Sequence, residues 1–291
     1  MEQILFILFL LITGNVLKYA NFPKNFPQSL NQFIIYISLP ATILLQVPKI
    51  QFNSSLILPL ITPWIALAIS VFLVLIVFKN YSKETKAALL LLVPLGNTSF
   101  FGFPMLEALV GEEAIKYGLI YDQFGTFLIL AIYGSFILAY FGGQKLNSSQ
   151  ILKKIFLFPP FVFLVLALFL PSFDLAEKYL KILASTLTPL AIISVGFSMQ
   201  LRLGDDAKTF AKAISLKLII IPLIFLVIFN IVGFDDLGAK VTILDLAMPT
   251  MITAGALAIN AGFAPKLSAS LVGYGIILAI PSLFVFHKIL F

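Results

Sequence analysis

Between residues 2 and 290 the chain is a succession of apolar stretches, each long enough to span a bilayer, separated by joints of only a few residues. A spanning helix needs about 20 apolar residues. Backbone inside lipid must satisfy its own polar groups, which restricts spanning structures to helices and closed barrels. Cut at its polar and Pro/Asn-rich joints, the sequence predicts ten spans at 2–18, 28–47, 56–78, 86–110, 114–141, 155–171, 176–201, 208–233, 238–262 and 266–290. Within 291 residues no length remains for a soluble catalytic domain. Composition agrees, with 60% hydrophobic residues, 11% charged and a mean hydropathy of +1.08. Soluble domains carry about 25% charged residues. The predicted class is an all-α, multi-pass membrane protein.

Composition also excludes several chemistries. The chain has no cysteine, which removes disulfides, iron–sulfur clusters and thiolate metal sites. Its one histidine, His287, lies at the end of the last span, so a histidine metal site or a Ser-His-Asp triad is not expected. No cofactor, resident metal or nucleic-acid partner is expected, and the net charge of +6 is read through membrane topology instead. One face receives Lys49, Lys116, Lys178, Lys181, Lys240 and Lys288. The other receives Lys18, Lys24, Lys79, Lys83, Lys86, Lys145, Lys153, Lys154, Arg202, Lys208, Lys212 and Lys266. The richer face should be cytoplasmic, which predicts both termini outside. The opening MEQILFILFLLITGN has neither a basic leader nor a small-residue cleavage site, so it reads as a retained first span.

Two spans differ from the rest. The fourth carries Pro94, Gly96, Asn97, Thr98, Ser99, Gly102 and Pro104 at its centre, and the ninth carries Pro249, Thr250, Thr253 and Gly255. Proline removes a backbone donor and clashes with the preceding turn, so both spans should break near the midplane, at Gly96–Gly102 and Pro249–Gly255. Irregular backbone at that depth survives where it lines a cavity or is packed in protein. A matching pair of interrupted spans, one in each half, is the sequence sign of a transporter built from inverted repeats. Ser38-Leu39-Pro40-Ala41 in span two is likewise echoed by Thr188-Pro189-Leu190-Ala191 in span seven. The expected organisation is two inverted five-helix repeats, 1–147 and 148–291. Helices one, two, six and seven would form a scaffold domain, and three to five with eight to ten a transport domain.

Pro94-Leu95-Gly96-Asn97-Thr98-Ser99-Phe100-Phe101-Gly102-Phe103-Pro104, followed by Glu107-Ala108-Leu109-Val110-Gly111, resembles the fourth-helix signature of the auxin efflux carrier family. Ala247-Met248-Pro249 resembles that family's ninth-helix motif, and Ser38-Leu39-Pro40-Ala41 its second-helix motif. Where the family commonly has Thr-Gly, this chain has Thr98-Ser99, which adds a hydroxyl at the break. The resemblance implies a fold similar to bile-acid/sodium symporters and sodium/proton antiporters, in the bile/arsenite/riboflavin transporter-like superfamily. There two broken helices cross inside a mobile transport domain. It also implies a small organic anion as substrate, of the auxin, malonate or malate kind. The short joint Gly142–Lys154 looks like the bacterial branch, hence a bacterial inner membrane.

Ionisable groups within spans default to functional candidates. At ~1.5 Å per residue, Asp122 and Asp245 lie about 10–12 Å below the outer ends of spans five and nine, level with Asn97. The functional reading makes the two aspartates a protonatable or cation-binding pair. Desolvation penalises a charged carboxyl, which suits a proton carrier, and sodium near Asn97 and Asp122 is the alternative coupling ion. The bland alternative is a structural aspartate capping a broken helix. Lys217 reads either as a counter-ion to Asp122 or to an anionic substrate, or as a snorkelling lysine. Asn97, Thr98, Ser99, Thr250 and Thr253 offer polar groups beside unwound backbone. The half-helix that starts near Pro104 should aim its positive end at the midplane.

The leading expectation is thus an ion-coupled secondary carrier with an elevator-like mechanism, surrounded by lipid and able to dimerise through its scaffold helices. An intramembrane aspartyl protease is the enzymatic alternative, since Tyr121-Asp122 and Leu244-Asp245 supply two aspartates. Its second motif requires Gly-x-Gly-Asp, whereas Thr242-Ile243-Leu244 precedes Asp245. No enzyme is therefore expected.

Overall fold

The computed structural model describes residues 2–50, 53–143, 147–171, 176–201 and 207–291. Lys145 and Arg202, which enter the charge count, lie outside the described residues. The described chain is helical throughout. In order, the helices are α1 (Glu2–Leu17), α2 (Phe26–Lys49), α3 (Ser54–Val77), α4 (Lys83–Leu92), α5 (Phe103–Leu109), α6 (Glu112–Gly142), α7 (Ser148–Phe156), α8 (Pro159–Ala167), α9 (Glu177–Ser198), α10 (Ala207–Val232), α11 (Leu237–Leu246), α12 (Ile252–Asn260) and α13 (Pro265–Leu290). Six of these, α2, α3, α6, α9, α10 and α13, are long and apolar enough to cross a membrane. The pair α7 and α8 would make a further span, bent by 60° at its joint.

Local chemistry sets the helix ends. Asn53, Ser82, Asn147 and Asp236 each accept a backbone N–H in the first turn of α3, α4, α7 and α11, satisfying donors that helix geometry leaves free. The Asn53-Ser54-Ser55 and Asn147-Ser148-Ser149 sequences are thereby explained as caps. At the far ends, Gly143 after α6 and Gly233 after α10 take left-handed φ values of 70° and 84°, which a glycine adopts without strain.

The joint drawn at Gly142–Lys154 is corrected in part: Ser148–Phe156 is helical, with its own cap and two lysines in its last turn. The predicted breaks also shift towards the N-terminus. Helix α4 ends at Leu92 and a π-turn begins at Thr98, so the first interruption holds Pro94, Gly96 and Asn97. The second runs from Ala247 to Met251 and holds Pro249 and Thr250. Gly102, Thr253 and Gly255, expected within the breaks, lie in helical turns after them, and Pro104 lies in the first turn of α5, near where that half-helix was expected to start. For Pro104 the reason is local. The wider π-turn Thr98–Gly102 has already opened the ladder ahead of its ring, so the clash that would break a regular helix is absent. Pro40 follows the π-turn Ile34–Ser38 and Pro222 follows Leu216–Ile220 in the same way.

The outer surface is apolar, with side chains such as Phe9, Phe72, Phe169 and Ile231 more than half exposed. Inside, helices approach at small residues. α1 and α9 lie side by side, pointing the same way. Gln3 and Leu187 share a cavity at one end, and Lys18 and Ser198 share another at the opposite end. A Cβ added at Gly14 would stand 2.2 Å from the Ile193 carbonyl oxygen, and one at Gly196 would stand 2.2 Å from that of Leu11. Such close packing drives association where lipid is as apolar as the helices. Gly196→Ala should therefore force the helices apart and destabilise the protein by about 1–3 kcal/mol, read as a lower melting temperature in detergent. Gly143→Asn, at a left-handed position with nothing within 4 Å, should leave the melt nearly unchanged.

Candidate functional site

Four backbone atoms define the centre of the molecule. The N–H of Asn97 donates to the carbonyl of Pro249 at 2.7 Å, and the N–H of Met251 donates to that of Leu95 at 3.0 Å. This makes an antiparallel bridge between Gly96 and Thr250, across which the two interruptions meet. Each interruption frees backbone groups that its own helix no longer pairs, and the other interruption supplies partners for some of them. Pro94 and Pro249 each remove a ladder donor at the gap.

Polar side chains collect around this bridge. Asp122 is buried and accepts from three neighbours: the hydroxyls of Thr98 and Ser99, the latter at 2.6 Å, and Gln123 Nε2 at 2.6 Å. Asp245 is equally buried, and neither of its carboxyl oxygens has a hydrogen-bond partner. Its Oδ1 would stand 3.6 Å from a Cβ added at Gly102, and Lys217 Nζ would stand 3.3 Å from one at Gly96. Both charges therefore lie against the unwound backbone and the π-turn after it, where glycines leave room. Asp245 is within electrostatic reach of Lys217, Asp122 and Tyr121. Asn97 Nδ2 and Gln123 Oε1 are also buried without a partner.

Helix geometry explains how the chain assembles this set. Thr98 and Ser99 sit in the π-turn Thr98–Gly102, Asp122 and Gln123 in Tyr121–Thr126, and Lys217 in Leu216–Ile220. A π-turn carries more residues per turn than an α-turn and often marks functional sites. In α6 the three consecutive residues Tyr121, Asp122 and Gln123 are all buried, as are Tyr117, Gly118, Leu119 and Ile120 in the regular turn before them.

The predicted residues therefore divide. Asn97, Thr98, Asp122, Lys217, Asp245 and Thr250 are all buried at or beside the crossing, with Ser99 half-buried among them. Thr253 is exposed on α12, because the helix restarts one residue before it. Lys217 was expected as a counter-ion to Asp122 or to an anionic substrate, or as a snorkelling lysine. It lies with Asp245, while Asp122 is held by three uncharged donors. Gln123 was missed, although a glutamine inside an apolar span was the available signal. Among the described residues there is no cluster of three or more His, Asp or Glu side chains that could hold a metal ion.

These contacts separate folding from function residue by residue. Thr98→Val keeps the shape but removes one donor to a buried carboxylate, so it should cost about 1–3 kcal/mol of stability, measurable as a lower melting temperature. Asn97→Ala removes a group that has no partner, so its melt should stay near wild type.

A family model described as membrane transport protein matches residues 1–287. Two relatives are each named an uncharacterized transporter. One, from Methanocaldococcus jannaschii, is 27% identical over 271 residues, covering 86% of this chain and 85% of the relative. The other, from Methanothermobacter thermautotrophicus, is 27% identical over 300 residues, covering 97% and 95%.

Proposed function

The chain belongs to this family of membrane transport proteins, the auxin efflux carrier family that the Pro94–Pro104 motif resembles, and from that premise we propose that it carries a small organic anion through the helix crossing. Transport, not catalysis, is the family's activity, and a membrane lipid environment follows from it. The observation that carries the anion reading is the set of unpaired groups at the crossing: Asn97 Nδ2, Gln123 Oε1 and both oxygens of Asp245. Buried polar groups without partners are rare and ask for a missing one. An amide donor beside an ammonium group suits a carboxylate. Two free carboxyl oxygens suit a proton or a cation.

The architecture we infer is ten spans in two inverted five-helix repeats, with α4–α5 and α11–α12 as the broken fourth and ninth, and α7–α8 as the sixth. Helix pairing supports it. α1 packs on α9, and α8 packs on α2, which are the same contact once the halves are exchanged. α1, α2, α7–α8 and α9 then make the scaffold, which also offers the surface for a homodimer, and the remaining helices make the mobile transport domain. The Thr98–Gly102 turn packs on α9, so an elevator-like movement would slide the crossing along that helix. Both termini lie outside in this scheme.

For the coupling ion we favour a proton on Asp245, with Lys217 as its counter-charge. The three donors on Asp122 are aimed where a sodium ion would need free lone pairs. That argues against sodium at Asp122 in this conformation and gives the residue a positioning role. The test is uptake into liposomes under an imposed pH gradient or an imposed sodium gradient, with mono- and dicarboxylates first ranked by thermal shift. A pH gradient should drive accumulation, and Asp245→Asn should abolish the dependence on pH while leaving counterflow exchange. Accumulation driven by sodium alone would overturn the proton assignment. Thermal shifts with organic cations, but with none of the carboxylates, would overturn the anion reading.

A further inference from the structure

Two cavities lie at opposite ends of α9, and each is walled by the half-helix that follows one of the breaks. The first, of 530 Å³, is bounded by Pro104 and Glu107 of α5, by Gln3 of α1 and by Leu187 and Thr188 of α9. The second, of 440 Å³, is bounded by Ile252 and Gly255 of α12, by Lys18 and Lys24, and by Ser198 and Gln200. Between Pro189 and Phe197, their nearest lining residues on α9, they are about 12 Å apart.

Their charges are opposite. Glu107 and Glu112 both line the first cavity, against a single lysine, Lys181. Glu107 accepts from Thr188 at 3.0 Å and Glu112 from Gln46 at 2.7 Å, so both carboxylates are fixed at the wall. The second cavity holds Lys18 and Lys24, and no carboxylate lines it among the described residues. Lys18 is half-buried, and neither lysine has an acidic partner within ion-pairing distance among those residues. A half-buried ammonium without a counter-ion, in a cavity with amide and hydroxyl groups, is a place for an anion.

Resting on the reading of the protein as an anion carrier, we infer that the Lys18–Lys24 cavity is a capture site for carboxylate substrate, and that the Glu107–Glu112 cavity is a vestibule with low affinity for it. The basic wall concentrates anions at one face and the acidic wall disfavours them at the other. The two faces of the carrier therefore differ in apparent affinity. In the absence of a gradient a carrier must have the same Vmax/KM from both sides, so the asymmetry takes a definite form. Transport from the Lys18 face has low KM and low Vmax, and transport from the Glu107 face has high values of both.

The test uses the full chain in proteoliposomes without ion gradients. It takes radiolabelled malonate as probe, or whichever carboxylate gives the largest thermal shift. Orientation is read from labelling of Asn21→Cys by an impermeant maleimide, which is clean because the chain has no cysteine of its own. KM should be lower from the Lys18 face. Lys18→Gln with Lys24→Gln should raise that KM by about 5-fold, the size expected of unit charges near a wet surface, and should leave the other face unchanged. The Lys18→Arg, Lys24→Arg pair keeps the charge and should keep the KM. Glu107→Gln with Glu112→Gln should lower KM at the opposite face only. Equal KM at both faces, or a lysine pair whose neutralisation shifts neither, would overturn the capture site while anion transport stood. Transport of cations with no carboxylate flux would overturn the anion reading, and the capture site with it.

Discussion

The two hydrogen bonds between Leu95–Asn97 and Pro249–Met251 are the constraint around which the rest of the molecule is arranged. An unwound segment in a low-dielectric interior exposes N–H and C=O groups that each cost several kcal/mol if left alone. Pro94 and Pro249 each remove a ladder donor at such a segment, whereas Pro63 and Pro281 stay inside continuous helices. The economical solution is for each interruption to satisfy the other, and this brings two distant parts of the chain into register at one point. Once they meet, the helices on either side are held at the crossing and their polar side chains become neighbours.

That geometry divides the two aspartates by environment. Asp122 comes from an adjacent helix and meets the hydroxyls of Thr98 and Ser99 as the π-turn delivers them. Its carboxyl oxygens are satisfied by donors from the protein. Asp245 ends the helical run before the second interruption and receives no donor. Lys217, from a third helix, reaches the same unwound backbone from the other side. Two chemically identical groups of similar burial are left in different hydrogen-bonding environments, and the difference lies in who donates to them.

The cavities follow the same logic on a larger scale. Each half-helix after a break lines a cavity that it shares with residues of α9. Side chains from distant positions in sequence then decide whether that space is acidic or basic. Close glycine packing between α1 and α9 at Gly14 and Gly196 fixes the wall against which α5 packs.

Sequence alone determined where the chain must be in lipid and where its helices must stop. Runs of apolar residues cannot be hidden otherwise, and proline cannot donate. It also marked Asn97, Asp122 and Asp245 as costly groups at one depth, because rise per residue is a local quantity. It did not place the breaks to the residue. The π-turn that accommodates Pro104 depends on packing around Thr98–Gly102, and that packing comes from α9. Nor could it pair Lys217 with Asp245 in preference to Asp122, or see that Gln123 would turn inward beside Asp122, since both depend on π-turn register in two separate helices. The opposite charge of the two cavities was likewise invisible. Lys18 and Lys24 read as topology signals along the chain, and only tertiary structure put them on a cavity wall beside the second broken helix. Depth and helix breaks are written in local chemistry, whereas which polar group goes unpartnered is settled by contacts between residues far apart in the chain.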